Sequence, residues 1–243
     1  MTRLDDILAN RRLGFACKRV VTALELLLLS YYKRNPLEKT GLAVIQEIYA
    51  KQSSLFSILF LGETPVLFSP SELLNLYHNA RLMRDHGGLF AEAGAFKGDS
   101  AEIVCRVKGD RQFYVFEAFE GLPVAGSADG RFKHGMFASS EAKLRRRLER
   151  YPNTTILPGY FPQTASSVMG EKFSYVHLDL DLYDATKAAL EFFYPRMRPC
   201  GRIISHDYSQ CEGVWRAFNE FFADKPEELE PTGVSQVMVI KRA

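Results

Sequence analysis

Apolar and polar positions alternate strictly from Tyr175 to Leu182, with Val176, Leu178, Leu180 and Leu182 apolar and His177, Asp179 and Asp181 between them. A period of two predicts a strand, and the helix-like run Asp184 to Tyr194 follows it. The same reading finds strands at Leu89 to Ala93, Gln112 to Phe116, Thr154 to Leu157 and Gly201 to Ser205, and a last one at Val234 to Lys241, hairpin-paired near Glu230. Helical spacing joins them. Ser69-Pro70-Ser71-Glu72 has the form of a capping box, with Leu73, Leu76, Tyr77, Ala80 and Met83 behind it and Gly87-Gly88 closing the run. Further helices are predicted at Ser100 to Val107, after Ser139-Ser140-Glu141, and over Val214 to Phe221, where Trp215 reads as core. Before residue 69 the pattern is weaker. Residues 1 to 50 read as helices interrupted at Asn35-Pro36, and Ser54 to Phe68 is apolar without a period, which suits core packing or a flap. Strands alternating with helices predict an open α/β fold with a largely parallel sheet.

Composition narrows the reading. A chain of 243 residues is long enough for one large α/β domain with appended helices. Basic and acidic residues nearly cancel, 31 against 29, which argues against a nucleic-acid partner. Arg145, Arg146, Arg147 and Arg150 follow a helix start and read as its solvated face. Cys17, Cys105, Cys200 and Cys211 show no CxxC spacing, as expected of buried thiols in a reducing, cytoplasmic protein. The most apolar N-terminal run, Val20 to Tyr32, contains Glu25 and falls short of the roughly 20 residues that cross a bilayer. It lacks a cleavage site for a leader and suits a helix that forms a homodimer or larger assembly.

The candidate chemistry lies at strand ends. On a strand, Asp179 and Asp181 point to the same side, and unpaired carboxylates do not belong in a core. Gly201 to Ser205 likewise ends in His206-Asp207-Tyr208. Ligands bind open α/β sheets at the carboxyl edge, so neighbouring strand ends would gather Asp179, Asp181, His206 and Asp207. The plainer alternative leaves them as helix caps and loop residues; two such pairs on one rim favour metal or acid/base chemistry. Gly94 and Gly98 form a GxxxG turn from strand into helix, unlike the GxGxxG of a dinucleotide site, with Glu92 as a strand-end acid or a capped carboxylate. Glu117, at the tip of the second strand, is placed to accept from a ribose diol.

Several blocks, in order, resemble the macrocin O-methyltransferase (TylF/MycF-like) family of class I S-adenosylmethionine-dependent methyltransferases: FAEAGAFKGDS at 90–100, VFEAFEGLP at 115–123, LPGYFPQT at 157–164, YVHLDLDLYDAT at 175–186 and RIISHDY at 202–208. The resemblance implies a Rossmann-like, seven-stranded, mostly parallel sheet with helices on both faces over residues 69–243; residues 1–68, which it does not cover, read as a helical extension serving as lid or oligomerisation segment. It also implies S-adenosylmethionine as cofactor, a divalent metal, usually magnesium, and a small-molecule hydroxyl acceptor, with no membrane partner. Carried across by position, Glu92, Gly94, Gly98 and Ser100 border the methionine part of the cofactor, with Asp179 at its edge, and Glu117 its ribose. Asp179 becomes a metal ligand and Asp181 the general base. The family's paired acids read His206-Asp207 here, which brings a transition metal into play. Glu117-Ala118 stands where Asp-Ser is more usual, keeping the carboxylate and losing the hydroxyl. Beside a sugar or polyol acceptor stand an aromatic one of catechol type, a cofactor-binding protein with an impaired metal site, and a metal-dependent hydrolase. Phe60, His134, Tyr160 and Phe161 are candidates for the acceptor pocket, and each also reads as packing or loop.

Overall fold

The computed structural model describes residues 67–243 and, before them, Val20, Leu24, Ala43, Ile45 and Glu47, all helical. Apart from those five positions, the elements expected of residues 1–50, with the break at Asn35-Pro36, lie outside the described residues, as do the apolar run 54–66, Cys17, Phe60 and most of the proposed lid or oligomerisation segment. Val20 and Leu24, one turn apart, are both exposed. Elements are numbered from the first one described.

Helix α1 (Pro70–Met83) starts as its sequence requires: Ser69 Oγ accepts from Glu72 N, and Glu72 reaches back to Ser69 N at 2.7 Å. All five residues of its predicted stripe are buried. Seven strands follow, β1 (Leu89–Ala93), β2 (Phe113–Glu117), β3 (Thr154–Pro158), β4 (Phe173–Leu178), β5 (Met197–Ser205), β6 (Glu230–Thr232) and β7 (Gln236–Ile240). Helices α2 (Asp99–Val107), α3 (Glu141–Leu148), α4 (Tyr183–Phe193) and α5 (Glu212–Phe222) connect them. The sheet order is β3-β2-β1-β4-β5-β7-β6, parallel from β3 to β5, with β7 antiparallel to both β5 and β6. The 230–241 hairpin is thus present, with its second strand wedged against β5.

Two apolar clusters sandwich the sheet, one centred on Leu73, Leu76, Phe90 and Phe113, the other on Phe116, Phe193, Phe218 and Val176. Parallel strands buried on both faces read as near-continuous apolar runs, as β1 does apart from Glu92; β4 is buried along its whole length although its sequence alternates, with Ser174 and His177 inside. Three expectations are corrected. Trp215 is 49% exposed on α5 and not core. Cys200 is exposed, whereas Cys105 and Cys211 are buried. Nor is the arginine run of α3 simply a solvated face: Arg147 pairs with Asp99 and Glu102, and Arg150 also reaches Glu102. Glu102 is buried on α2, where Arg106 at i+4 is one partner and the two arginines from the next helix region are partners that spacing within one helix cannot reveal.

At the far end of the sheet Glu227 accepts from Lys241 Nζ at 2.8 Å, Tyr194 Oη at 2.7 Å and Arg242 N at 3.0 Å. Burial works to raise its carboxyl, but these three donors outweigh it and hold the group down at about 2. A depressed carboxyl stabilises the fold above its unfolded value and loses that contribution as pH falls toward the folded one. The group therefore contributes up to about 3 kcal/mol at pH 7, lost between about pH 5 and pH 2. Glu227→Gln should lower stability at pH 7 and flatten its dependence over that acid range, as measured by urea unfolding.

Candidate active site

Strand register assembles the site. Glu92 lies beside His177 and Ala93 beside Leu178 across β1 and β4, while Leu178 lies beside Ser205 across β4 and β5. The next residues extend the pairing, Asp179 N donating to Ala93 O and His206 N to Leu178 O, each at 2.9 Å. Sheet order reverses between β1 and β4, and the crevice opens at that reversal. A cavity of about 710 Å³ occupies it, lined by Gly94 and Glu117 on one side and by Asp179, Asp181, His206 and Asp207 on the other.

The reason given for pairing Asp179 with Asp181 needs correction. Strand β4 ends at Leu178, so strand alternation does not orient them. Asp181 and Asp207 instead sit in left-handed backbone, φ +59° and +58°, a conformation that Asp tolerates better than most residues. Leu180 faces the cavity and Leu182 is buried at the start of α4, so the alternation continues past the strand for reasons of contact alone. His206 Nδ1 lies 3.2 Å from Asp179 Oδ1 and 3.5 Å from Asp207 Oδ1, and one ligand atom from each of the three falls within 4.8 Å of the others. Burial first, then the neighbouring Asp179 and Asp207, push the Asp181 carboxyl well above the ordinary range.

Glu117 is fixed from both sides. Phe96 N donates to one of its oxygens at 2.6 Å and Phe119 N to the other at 3.1 Å, while burial pushes the carboxyl up. An ionised carboxylate has about four acceptor sites, so two hydroxyls can still be accommodated. Glu92, Gly98 and Ser100 do not line the cavity. Fully buried behind β1, Glu92 accepts from Ser100 Oγ and pairs with His177 Nδ1 at 2.9 Å, and the Cβ position of Gly98 faces Leu144 and Arg147. Tyr160 and Phe161 do line it, whereas exposed His134 does not.

The cavity is covered by loop 121–137, whose ends meet where Leu122 N donates to Met136 O and Gly135 N to Leu122 O. Two of its side chains tie it to neighbouring helix starts. Asp129, buried, accepts from Tyr183 N at 2.8 Å at the start of α4. Its other oxygen lies where a Cβ on Gly213 would approach within 2.0 Å, so the first turn of α5 must be bare at that point. Arg131, from the same loop, lines the cavity and donates to Cys211 Sγ at 2.7 Å. Sequence reasoning passed over Arg131, Asp129 and buried Gln210, because a loop without a period carries no signal of what it covers. Glu72 is more than half of a capping box: its Oε2 stands 3.6 Å from His206 Nε2.

Among the described residues no helix is long and apolar enough to cross a membrane. The family model for macrocin-O-methyltransferase (TylF) matches residues 80–235. The chain is 30% identical over 168 residues to an 8-demethyl-8-(2,3-dimethoxy-alpha-L-rhamnosyl)-tetracenomycin-C 4'-O-methyltransferase of Streptomyces olivaceus, covering 60% of this chain and 64% of that protein. It is 28% identical to the demethyldecarbamoylnovobiocin O-methyltransferase of Streptomyces niveus, covering 58% and 62%. The match thus spans somewhat less than two thirds of these curated relatives. Among solved structures, the O-methyltransferase NovP superposes with TM-score 0.65 at 23% identity, over 74% of this chain and 82% of that one. The calicheamicin methyltransferase CalS11 superposes with TM-score 0.63 at 18% identity, over 91% of each. Both likenesses identify the fold as that of class I methyltransferases.

Proposed function

The chain belongs to the macrocin O-methyltransferase (TylF) family, and on that footing we propose that it moves a methyl group from S-adenosylmethionine to a hydroxyl on a sugar or polyol unit of a small natural product. The observation that carries this reading is that one cavity joins a strand-end carboxylate held by two backbone amides, Glu117, to a cluster of three carboxylates and an imidazole. The first suits a ribose diol and the second suits removal of a hydroxyl proton.

The donor supplies an electrophilic methyl carbon, and displacement from it runs in line, so positioning of the acceptor oxygen carries much of the rate. Glu117 would accept from the ribose hydroxyls. Asp181 would take the acceptor's proton on a carboxylate oxygen; its raised affinity for protons makes it a stronger base than an exposed aspartate. The spacing and chemistry of Asp179, His206 and Asp207 fit a divalent cation that takes both oxygen and nitrogen ligands. Held there, such an ion would stabilise the oxyanion of the acceptor. Loop 121–137 would exclude water from the reacting atoms, with Phe132 and Phe137 presenting apolar faces to the rest of the acceptor. The same rings suit the second reading, an aromatic acceptor of catechol type.

Two measurements test the proposal. S-adenosylhomocysteine well above its Kd should raise Tm, the stabilisation being a few kcal/mol. Glu117→Ala should weaken that binding by about 10- to 100-fold, the cost of losing a charge-assisted hydrogen bond. No shift with this ligand would refute the proposal, whereas methylation of simple catechols in preference to glycosides would decide for the second reading.

A further inference from the structure

Position 206 carries an imidazole between carboxylates on both sides. Nδ1 faces Asp179 and Asp207, at 3.2 Å and 3.5 Å, and Nε2 faces Glu72 Oε2 at 3.6 Å. From the geometry we infer that His206 is a direct nitrogen ligand of the cation through Nδ1, and that Glu72 is a positioning residue that fixes this ring, tuning the site toward transition metals and away from magnesium. The inference deepens the reading above and rests on it, since Asp179 and Asp207 are taken as the carboxylates of the same ion site.

Glu72 is placed for more than helix capping. It is 0% exposed, a costly location for a carboxylate. Its own helix start and one distant segment hold it: Oε2 accepts from Ser69 N at 2.7 Å, and Oε1 accepts from Ser235 N at 2.9 Å and from Ser235 Oγ. Both oxygens are anchored, so the carboxylate presents a fixed negative face to Nε2. Metal-bound histidines characteristically turn their second nitrogen toward a carboxylate or carbonyl, which selects the tautomer and orients the ring. With the proton on Nε2, the Nδ1 lone pair points toward the two aspartates. Phe68 closes the ring from the side, its centroid 4.2 Å away, so the imidazole is held by β5, α1 and the segment before it. Magnesium favours all-oxygen shells, whereas imidazole suits later divalent ions.

Most N/O sites favour later ions over magnesium, so affinity order alone does not test the inference. The direct readout is electron spin-echo envelope modulation of the wild-type chain loaded with Mn(II), where a bound imidazole gives 14N coupling. Coupling is expected; its absence with Mn(II) bound, or no binding of Mn(II) at all, overturns the claim. In calorimetric titrations with CoCl2 and MgCl2, His206→Asp should reduce the ratio of Co(II) to Mg(II) affinity by at least about tenfold, and an unchanged ratio counts against ligation. Glu72→Gln should weaken Co(II) binding by about 10- to 100-fold. If that variant does not fold, the wild-type coupling and the His206→Asp ratio still decide. S-adenosylhomocysteine binding to the metal-free chain, measured in parallel, reports on the methyltransferase reading by itself, so its failure is distinguishable from failure of the ligand assignment.

Discussion

Asp181→Asn should lower kcat by about 10²- to 10⁴-fold, the span associated with loss of a positioned general base. Asparagine is the informative substitution. The residue sits at φ +59°, and Asn tolerates left-handed backbone, so the loop that carries Asp179 and Leu180 keeps its path. Charge is lost without loss of shape. Because Asp179 and Asp207 lie close enough to push the Asp181 carboxyl upward, removing that charge also relieves repulsion. Thermal stability should therefore stay level or rise while turnover falls, a split that a merely structural role would not produce. Wild-type turnover should decline toward acid pH, because the base must be ionised. Full turnover of the variant in the presence of saturating Mn(II) would remove Asp181 from the mechanism.

Gly94→Ala should cost both the fold and the site. A Cβ at this position would stand 1.8 Å from the carbonyl oxygen of Asp179 and 2.7 Å from its carbonyl carbon, and φ is +87°, where side chains are disfavoured. Neither obstacle is a flexible side chain. Both are backbone at a point where Asp179 N donates to Ala93 O and Gly94 N to Phe116 O, so relief means separating the tips of β1 and β4. A loss of about 3 kcal/mol or more follows from the overpacking and the strained backbone together. Surviving protein should bind S-adenosylhomocysteine at least about 100-fold more weakly, since the crevice is bounded by those two strand tips. Gly170→Ala is the control: nothing lies within 4 Å of a Cβ there, and the variant should melt as wild type.

Local signals in the sequence were read correctly where local physics dominates. The capping box and stripe of α1 declare themselves because Ser69, Glu72 and the buried leucines satisfy each other within one turn or two. Strand β1 is visible because burial leaves few polar positions, β4 because its residues alternate, and β5 only over residues 201–205, since residues 198–200 are exposed. The convergence of Asp179, Asp181, His206 and Asp207 could be anticipated from two strand ends, since parallel strands joined by a helix are commonly neighbours. What lies beyond depends on long-range contact. Ser235 and His206 meet Glu72 across the fold, and no spacing near Glu72 betrays them. Arg147 looked solvated because its partner Glu102 is on another helix. Glu92 and Ser100 bond to each other and Gly98 packs against Leu144 and Arg147, behind the cavity lining, contacts that the motif by itself does not reveal.

The hold of Asp129 on the helix starts has a practical corollary for altering acceptor choice. Residues 121–137 come from the half of the chain that carries Glu117, yet Asp129 fastens them to α4 and Arg131 to Cys211 at the start of α5, helices that grow out of the half that carries the acids. A segment transplanted from a relative would therefore need its own aspartate in register, and the recipient would have to keep glycine at 213. Exchanged without that match, the new cover would be unmoored, and reshaping this cavity becomes a problem of paired replacements at sites far apart in the chain.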